Sequence, residues 1–277
     1  MSARLREIAR HNEIIAESGS YRTPDGREVG IGRELAAATA GTRLYGPEPV
    51  AVTPDGDRTT TITVTDESSL AAAHRMVRGA PGAVAVLNFA SARNPGGGYL
   101  RGAQAQEEAL CRSSALYTTL LRAPEYYEHH RADPDLAYTD RVIHSPGVPV
   151  YRDDRGRLLD TPYTVGFLTS PAPNAGQLLS RDPAAGPRIA AALDSRAERV
   201  LETAAACGYR RLVLGAWGCG VFRNDPARVA EAFRALLTGE GRFAAHFDEV
   251  VFGILDRAEG TPTLAAFERV FAGTAPR

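Results

Sequence analysis

The chain has 277 residues, 44% of them hydrophobic, and a formal net charge of −1. That length allows one large domain or one domain with an extension, and the near-neutral charge gives no bulk electrostatic drive towards nucleic acid. All 32 basic residues are arginine, which excludes a P-loop lysine and Schiff-base chemistry on a lysine amine. The three cysteines, Cys111, Cys207 and Cys219, form no CxxC pair, so neither a disulfide framework nor a zinc knuckle is indicated. The first residues are charged throughout and do not read as a secretory signal. No apolar run reaches the length of a bilayer span. The expectation is a cytoplasmic protein without a membrane partner.

In chain order, residues 3–18 carry Leu5, Ile8, Ala9, Ile14 and Ile15 at helical spacing and predict an amphipathic helix that Gly19 stops. A second helix is expected over 31–40, and Pro47, Pro49 and Pro54 then break the pattern. Residues 1–48 read as an N-terminal helical extension packed on a main domain of residues 49–277.

From there strands and helices alternate. Thr59–Val64 is β-branched and reads as a strand, and 68–78 as a helix. Ala83–Phe89 is a short apolar run typical of a buried strand. Residues 104–122 predict one helix. Strands are expected over 141–144, 148–151 and 163–169, and a loop over 171–187. A long Ala-rich helix follows over 187–207, then a strand over 211–216. Pro226–Leu237 is a helix capped by Asn224 or Asp225. Residues 249–255 form a last strand and 261–271 a last helix. This alternation predicts a three-layer α/β domain with a parallel or mixed sheet, and ligands in such sheets sit outside the carboxyl ends of the strands.

Two glycine-rich loops follow two of these strands. The first is Asn94-Pro95-Gly96-Gly97-Gly98. An isolated triple glycine is usually a flexible turn, but here it joins an apolar strand to a helix. Glycines without Cβ atoms let a backbone approach an anion closely, and a helix start behind them suits a phosphate. Seven residues later comes Gln106-Glu107-Glu108. Glutamate pairs usually lie on a solvated helix face, yet Ala105, Ala109, Leu110 and Ala115 make this helix mostly buried. Successive helical residues lie about 100° apart, so the two glutamates need not share a role. A carboxyl in a poorly solvated pocket suits general acid work at neutral pH.

The second loop is Ala216-Trp217-Gly218-Cys219-Gly220-Val221-Phe222, and its backbone suits a diphosphate. Cys219 has no His nearby in sequence and reads as a space-filling residue rather than a nucleophile. Phe222 is placed to cover a ribose face. His129-His130 read as surface residues of a charged segment, His144 as a strand end, and Asp133, Asp135 and Asp153-Asp154 as turn residues without metal spacing. No GxSxG or Ser-His-Asp pattern supports a hydrolase triad.

Gly-Gly-Gly, seven residues and Gln-Glu-Glu resemble the signature of poly(ADP-ribose) glycohydrolases, and Gly218-Cys219-Gly220-Val221-Phe222 resembles the second phosphate loop of macrodomains. The helical N-terminus and His144-Ser145-Pro146-Gly147-Val148-Pro149-Val150 are similar to the short bacterial-type branch of the family. The resemblance implies a macrodomain, a three-layer α/β/α fold with a mixed, mainly parallel sheet, binding ADP-ribose or poly(ADP-ribose) between the loops without cofactor or metal. By resemblance Glu108 is the catalytic acid, Glu107 holds the ribose beside the scissile bond, and Gln106 lines the pocket. Gly218, Cys219, Gly220 and Val221 bind the diphosphate, and Phe222 lies against the distal ribose. The family often has Asp where this chain has Asn88. Exo action and a monomer are expected, with the adenine near Leu255-Asp256. An ADP-ribose reader without turnover and a mono(ADP-ribosyl) hydrolase are the alternatives.

Overall fold

The computed structural model describes residues 2–273. The N-terminal segment forms helix α1 (Ala3–Ser18), closed by Gly19 at φ 70°, and helix α2 (Gly32–Gly41). Between them lies a small hairpin of β1 (Ser20–Arg22) and β2 (Glu28–Gly30). Its turn, Pro24-Asp25-Gly26, lies in a segment whose apolar spacing predicts helices alone. Strand β3 (Arg43–Tyr45), also within residues 1–48, pairs antiparallel with the main sheet and forms its edge.

The chain then runs through β4 (Thr61–Thr65), α3 (Ser69–Gly79) and β5 (Val84–Phe89). Ser68 caps α3, its hydroxyl accepting from the Ala71 amide. The helix expected over 104–122 is two helices, α4 (Gln106–Ser113) and α5 (Leu116–Leu120). Ser114 breaks them apart. It is extended at φ −143° and bridges to Val150, while its hydroxyl donates to the Leu110 carbonyl. The charged segment that follows is helix α6 (Pro124–Ala132), and His130 on it is buried rather than at the surface.

The segments expected at 141–144 and 148–151 are one strand, β6 (Val142–Arg152), with a register shift between Ser145 and Val148. His144 is a buried residue inside it and no strand end; its ring lies 2.8 Å from the Tyr209 hydroxyl. Strand β7 (Leu158–Ser170) returns antiparallel. The expected loop at 171–187 contains helix α7 (Ala175–Arg181), started by the Asn174 side chain. Helix α8 (Gly186–Ala206), β8 (Arg211–Leu214), α9 (Pro226–Leu237), β9 (Glu249–Gly253) and α10 (Pro262–Val270) complete the order. Asp225 is the cap of α9.

The main sheet has seven strands in the order β3-β6-β7-β5-β8-β9-β4. The five strands from β7 to β4 are parallel, and β6 and β3 add antiparallel at one edge. Alternate residues of the central strands enter separate cores, because side chains alternate across a strand. Ala85, Leu87, Leu212, Leu214, Val250 and Phe252 pack with α8, α9 and α10. Val84, Val86, Val213 and Val251 pack with α1 to α6. This is the three-layer α/β/α arrangement, mixed and mainly parallel. No helix among the described residues is long and apolar enough to cross a membrane.

Candidate active site

Both glycine-rich loops leave the carboxyl ends of neighbouring parallel strands, β5 and β8, and open on one cleft of about 900 Å³. Asn94, Gly97, Gly98, Gln106, Glu107, Glu108, Gly218, Cys219, Gly220, Val221 and Phe222 all line it. Gly96 does not; it packs inward, where an added Cβ would lie 2.9 Å from the Tyr117 ring and 3.2 Å from Cys111 Sγ.

The first loop works differently from the anion cradle expected of it. Its amides are already committed within the protein. Gly97 donates to the Asn94 carbonyl and Tyr99 to the Gly96 carbonyl, each at 3.0 Å. The Gly98 amide donates to Glu108 Oε1 at 2.8 Å. The anions this loop cradles are the chain's own carboxylates. A Cβ on Gly97, which has φ 57°, would lie 2.5 Å from Glu108 Oε1 and 3.1 Å from Glu107 Oε2. Only glycine fits between the pair and the loop.

Glu107 and Glu108 occupy the first turn of α4, where the helix dipole favours negative charge. Both are buried. Glu107 Oε2 accepts from the Ser91 amide at 2.7 Å, and Oε1 from Asn88 Nδ2 at 3.3 Å. Asn88 is itself fully buried on β5, held by Thr169 at 3.1 Å. Burial pushes the Glu107 carboxyl up to about 8, against its hydrogen bonds to Ser91 and Asn88. Glu108 is anchored through one oxygen only, and its Oε2 is buried without a hydrogen-bond partner among the described residues. Gln106 acts as a bracket. Its carbonyl accepts from the Phe89 amide, and its amide donates to the Leu87 carbonyl and Ser69 hydroxyl. It ties α4 to the end of β5.

The second loop has the free donors that the first lacks. Among the described residues the amides of Gly220, Val221 and Phe222 donate to no protein group. Consecutive free amides of this kind form an anion-binding concavity. The loop is held from beneath. Trp217 is fully buried and donates to the Ser170 carbonyl at 3.0 Å. Asn224 Nδ2 donates to the carbonyls of Pro173 (2.8 Å) and Gly218 (3.1 Å). Gly218 has φ 70°, and a Cβ there would collide with Asn224 Nδ2 at 2.6 Å. Val221 is 80% exposed. Phe222 is half-buried with its ring 6.0 Å from that of Tyr138. Burial pushes the Cys219 thiol up to about 12, so it stays protonated and is no nucleophile.

Sequence reading missed Ser91, Arg101, Gln104, Ser68, Ser69 and Asp154, which also line the cleft. None belongs to a motif, and only the fold brings them together. The segment at Leu255-Asp256 does line the cleft, but the Asp256 side chain caps α10, accepting from Thr263 at 2.7 Å. Among the described residues no group of three or more His, Cys, Asp or Glu is arranged to hold a metal ion.

Fold and cleft together define a macrodomain-type glycohydrolase: a buried carboxylate pair one strand away from a loop of free amides. The catalytic-domain profile of microbial-type PARG matches residues 9–153. The structure of poly(ADP-ribose) glycohydrolase from Thermomonospora curvata bound to the inhibitor ADP-HPD is 52% identical, with a TM-score of 0.92, covering 97% of this chain and 99% of that one. The enzyme from Deinococcus radiodurans in complex with ADP-ribose is 46% identical, with a TM-score of 0.80, covering 88% and 98%. Curated proteins gave no match. The chain belongs to the microbial-type poly(ADP-ribose) glycohydrolase family.

Proposed function

We propose that the protein hydrolyses the ribose–ribose O-glycosidic bonds of poly(ADP-ribose) and releases ADP-ribose, with Glu108 as the general acid and base. One observation carries this reading: Glu108, a residue of the cleft wall, is fixed by the Gly98 amide through Oε1 while its buried Oε2 has no hydrogen-bond partner among the described residues. A carboxyl with one oxygen anchored and one free can hand a proton to a substrate atom. The glycosidic bond breaks through an oxocarbenium-like state. Glu108 protonates the departing 2′-oxygen and, as carboxylate, then activates a water.

Glu107, held by Ser91 and Asn88, takes the neighbouring ribose hydroxyls. Burial raises the Glu107 carboxyl, which eases the repulsion that two adjacent buried carboxylates would otherwise suffer. The amides of Gly220, Val221 and Phe222 take the diphosphate, and the Phe222 ring covers the distal ribose. Holding the diphosphate fixes the sugar against Glu108, so little motion is left to the reaction. Trimming from chain ends by a monomer, in the cytoplasm, completes the proposal.

The test is Glu108→Gln with labelled polymer. Release of ADP-ribose should fall by about 10³-fold, the usual weight of a positioned acid, while ADP-ribose still binds. Turnover at the wild-type rate would remove the mechanism. A wild-type protein that binds ADP-ribose and releases none from polymer would be a reader. Turnover confined to singly modified substrates would make it a mono(ADP-ribosyl) hydrolase.

A further inference from the structure

The second loop and the carboxylate pair stand on opposite layers of the fold. Cys219 and Phe222 of the loop pack against the core under α8 to α10. The carboxylates come from α4, whose Leu110 and Cys111 belong to the other core. The short 3₁₀ turn Tyr99–Arg101 joins the first loop to α4, and its Tyr99 lies in that same core beside Ala9 of α1. Arg101 from this turn lines the cleft. In a ribosyl unit the anomeric carbon lies across the sugar ring from the carbon that leads to the diphosphate. With the diphosphate on Gly220–Phe222 and the scissile bond at Glu108, the departing group therefore leaves towards Arg101 and α1. This step rests on the substrate proposed above.

That rim of the cleft is rich in arginine. Arg6 of α1 lies against Gly102, the residue after Arg101, where an added Cβ would be 3.2 Å from Arg6 Cγ. Arg4 donates to the Arg155 carbonyl at 2.8 Å, and Arg155 follows Asp154, a residue of the cleft wall. Arg4, Arg6, Arg101 and Arg155 are all exposed. Among the described residues the guanidinium groups of Arg6, Arg101 and Arg155 make no hydrogen bond or ion pair, and Arg4 pairs with no carboxylate. The acids beside them do not neutralise them. Asp153 pairs with Arg157 at 2.7 Å, Asp154 accepts from the Ser68 hydroxyl at 2.7 Å, and Glu7 pairs with none of these arginines. Positive charge is thus in excess here, on a chain whose formal net charge is −1.

The N-terminal helix sets the spacing of these cations. Arg152 donates to Asn12 Oδ1 at 2.7 Å, which ties the β6–β7 hairpin carrying Arg155 to α1. Tyr99 donates to Glu13 Oε1 at 3.0 Å, which ties the turn carrying Arg101 to the same helix. A Cβ on Gly102 would also lie 2.7 Å from the Ser2 carbonyl oxygen, so helix and turn are in close contact.

We propose that Arg101 and Arg6, continued by Arg4 and Arg155, hold the diphosphate of the next polymer unit on the leaving side of the scissile bond. A guanidinium presents paired donors that match phosphate oxygens, and a row of them tracks a phosphate-bearing strand. Every further unit of the polymer brings such a diphosphate. A single ADP-ribose, with its own diphosphate on the second loop, has none left for the rim. The arginines therefore favour polymer over product.

The experiment compares Arg101→Gln, Arg6→Gln and the double variant with wild type on two substrates. One is the polymer. The other is ADP-ribose linked to the 2′-oxygen of adenosine, which has the scissile bond and no second diphosphate. Each single variant should raise KM for polymer about threefold and the double variant about tenfold, as exposed ion pairs allow. The fall of kcat/KM with salt should flatten by about 0.7 in log–log slope for each arginine removed. The Kd of ADP-ribose and turnover of the adenosine glycoside should stay at wild-type values, as should every readout for Arg269→Gln on α10. An unchanged polymer KM in the double variant overturns the assignment. So does an equal loss on the adenosine glycoside, which would place the arginines at the reacting ribose. Inhibition by single-stranded DNA as strong as by polymer of equal phosphate content would make the rim a general nucleic-acid surface and also overturns it. Failure of wild type to release ADP-ribose from either substrate removes the function proposed above and this inference with it.

Discussion

The Gly98 amide donates to Glu108 Oε1 at 2.8 Å. This bond reverses the usual sense of a glycine-rich loop. The backbone groups that would meet a ligand phosphate are turned instead onto a side chain of the next helix. The glycines hold Glu108 Oε1 and leave its buried Oε2 without a partner among the described residues, the arrangement the proposed proton donor needs.

Gly97→Ala tests this directly. The new methyl would stand 2.5 Å from Glu108 Oε1, on a backbone at φ 57° that side chains rarely adopt. Displacing the carboxyl by an ångström should lower kcat by about 100-fold. ADP-ribose affinity should change far less, because the diphosphate loop is untouched. Steady-state kinetics and calorimetry on the same preparation separate the two effects.

The Glu107 carboxyl gives a signed pH dependence. Its folded value of about 8 lies above its ordinary 4.5. The unfolded chain therefore gives up this proton at lower pH than the folded one. The group's contribution to stability is fully present below about 4.5 and is lost as pH rises through about 8. Glu107→Gln should flatten the fall in stability between about pH 5 and about pH 8 and be more stable than wild type at the upper end. Urea unfolding at the two pH values checks it, and an equal slope in both proteins would contradict it.

Arg196 supports the second loop from the opposite layer. Fully buried on α8, it donates to the carbonyls of Pro171 (2.7 Å) and Ala137 (2.8 Å) and pairs with Asp140 at 3.1 Å. Ala172, next to Pro171, lies directly under Gly218. Arg196→Met strands these partners and should cost about 3–5 kcal/mol. Chemical denaturation measures the loss, and ADP-ribose affinity should fall with it.

Asn224→Ala should weaken ADP-ribose binding without touching the carboxylates. It removes the two side-chain bonds to the Pro173 and Gly218 carbonyls, at about 0.5–1.5 kcal/mol each, while each carbonyl keeps a backbone donor, Ala175 and Asn224. A loosened loop should raise Kd more than it lowers kcat.

Cys219, although it lines the cleft, should resist alkylation. Its thiol is pushed up to about 12 by burial. Iodoacetamide at neutral pH should leave the Cys219 peptide unmodified by mass spectrometry.

What could be read in advance follows from range. β5, whose Val84–Leu87 is an apolar run, and α9, opened by Asp225 and Pro226, are specified by neighbours along the chain. The break at Ser114 is not, because a helix-compatible sequence is bent there by pairing with Val150, a strand far along the chain. His130 reads as a surface residue because its segment is charged, and His144 as a strand end because Ser145-Pro146 follow it, yet tertiary packing buries both.

Reading along the chain was enough to single out Gly97-Gly98, Glu107-Glu108 and Gly218–Phe222, which line the cleft, since backbone freedom and side-chain type are local properties. How those groups are held depends on packing across the chain. The first loop holds Glu108, the second leaves its amides free among the described residues, and α1 braces the β6–β7 hairpin whose Asp154 lines the cleft. Which partner a backbone amide takes depends on what packs beside it, and strand order in a sheet is set by packing across the whole chain rather than by any one segment.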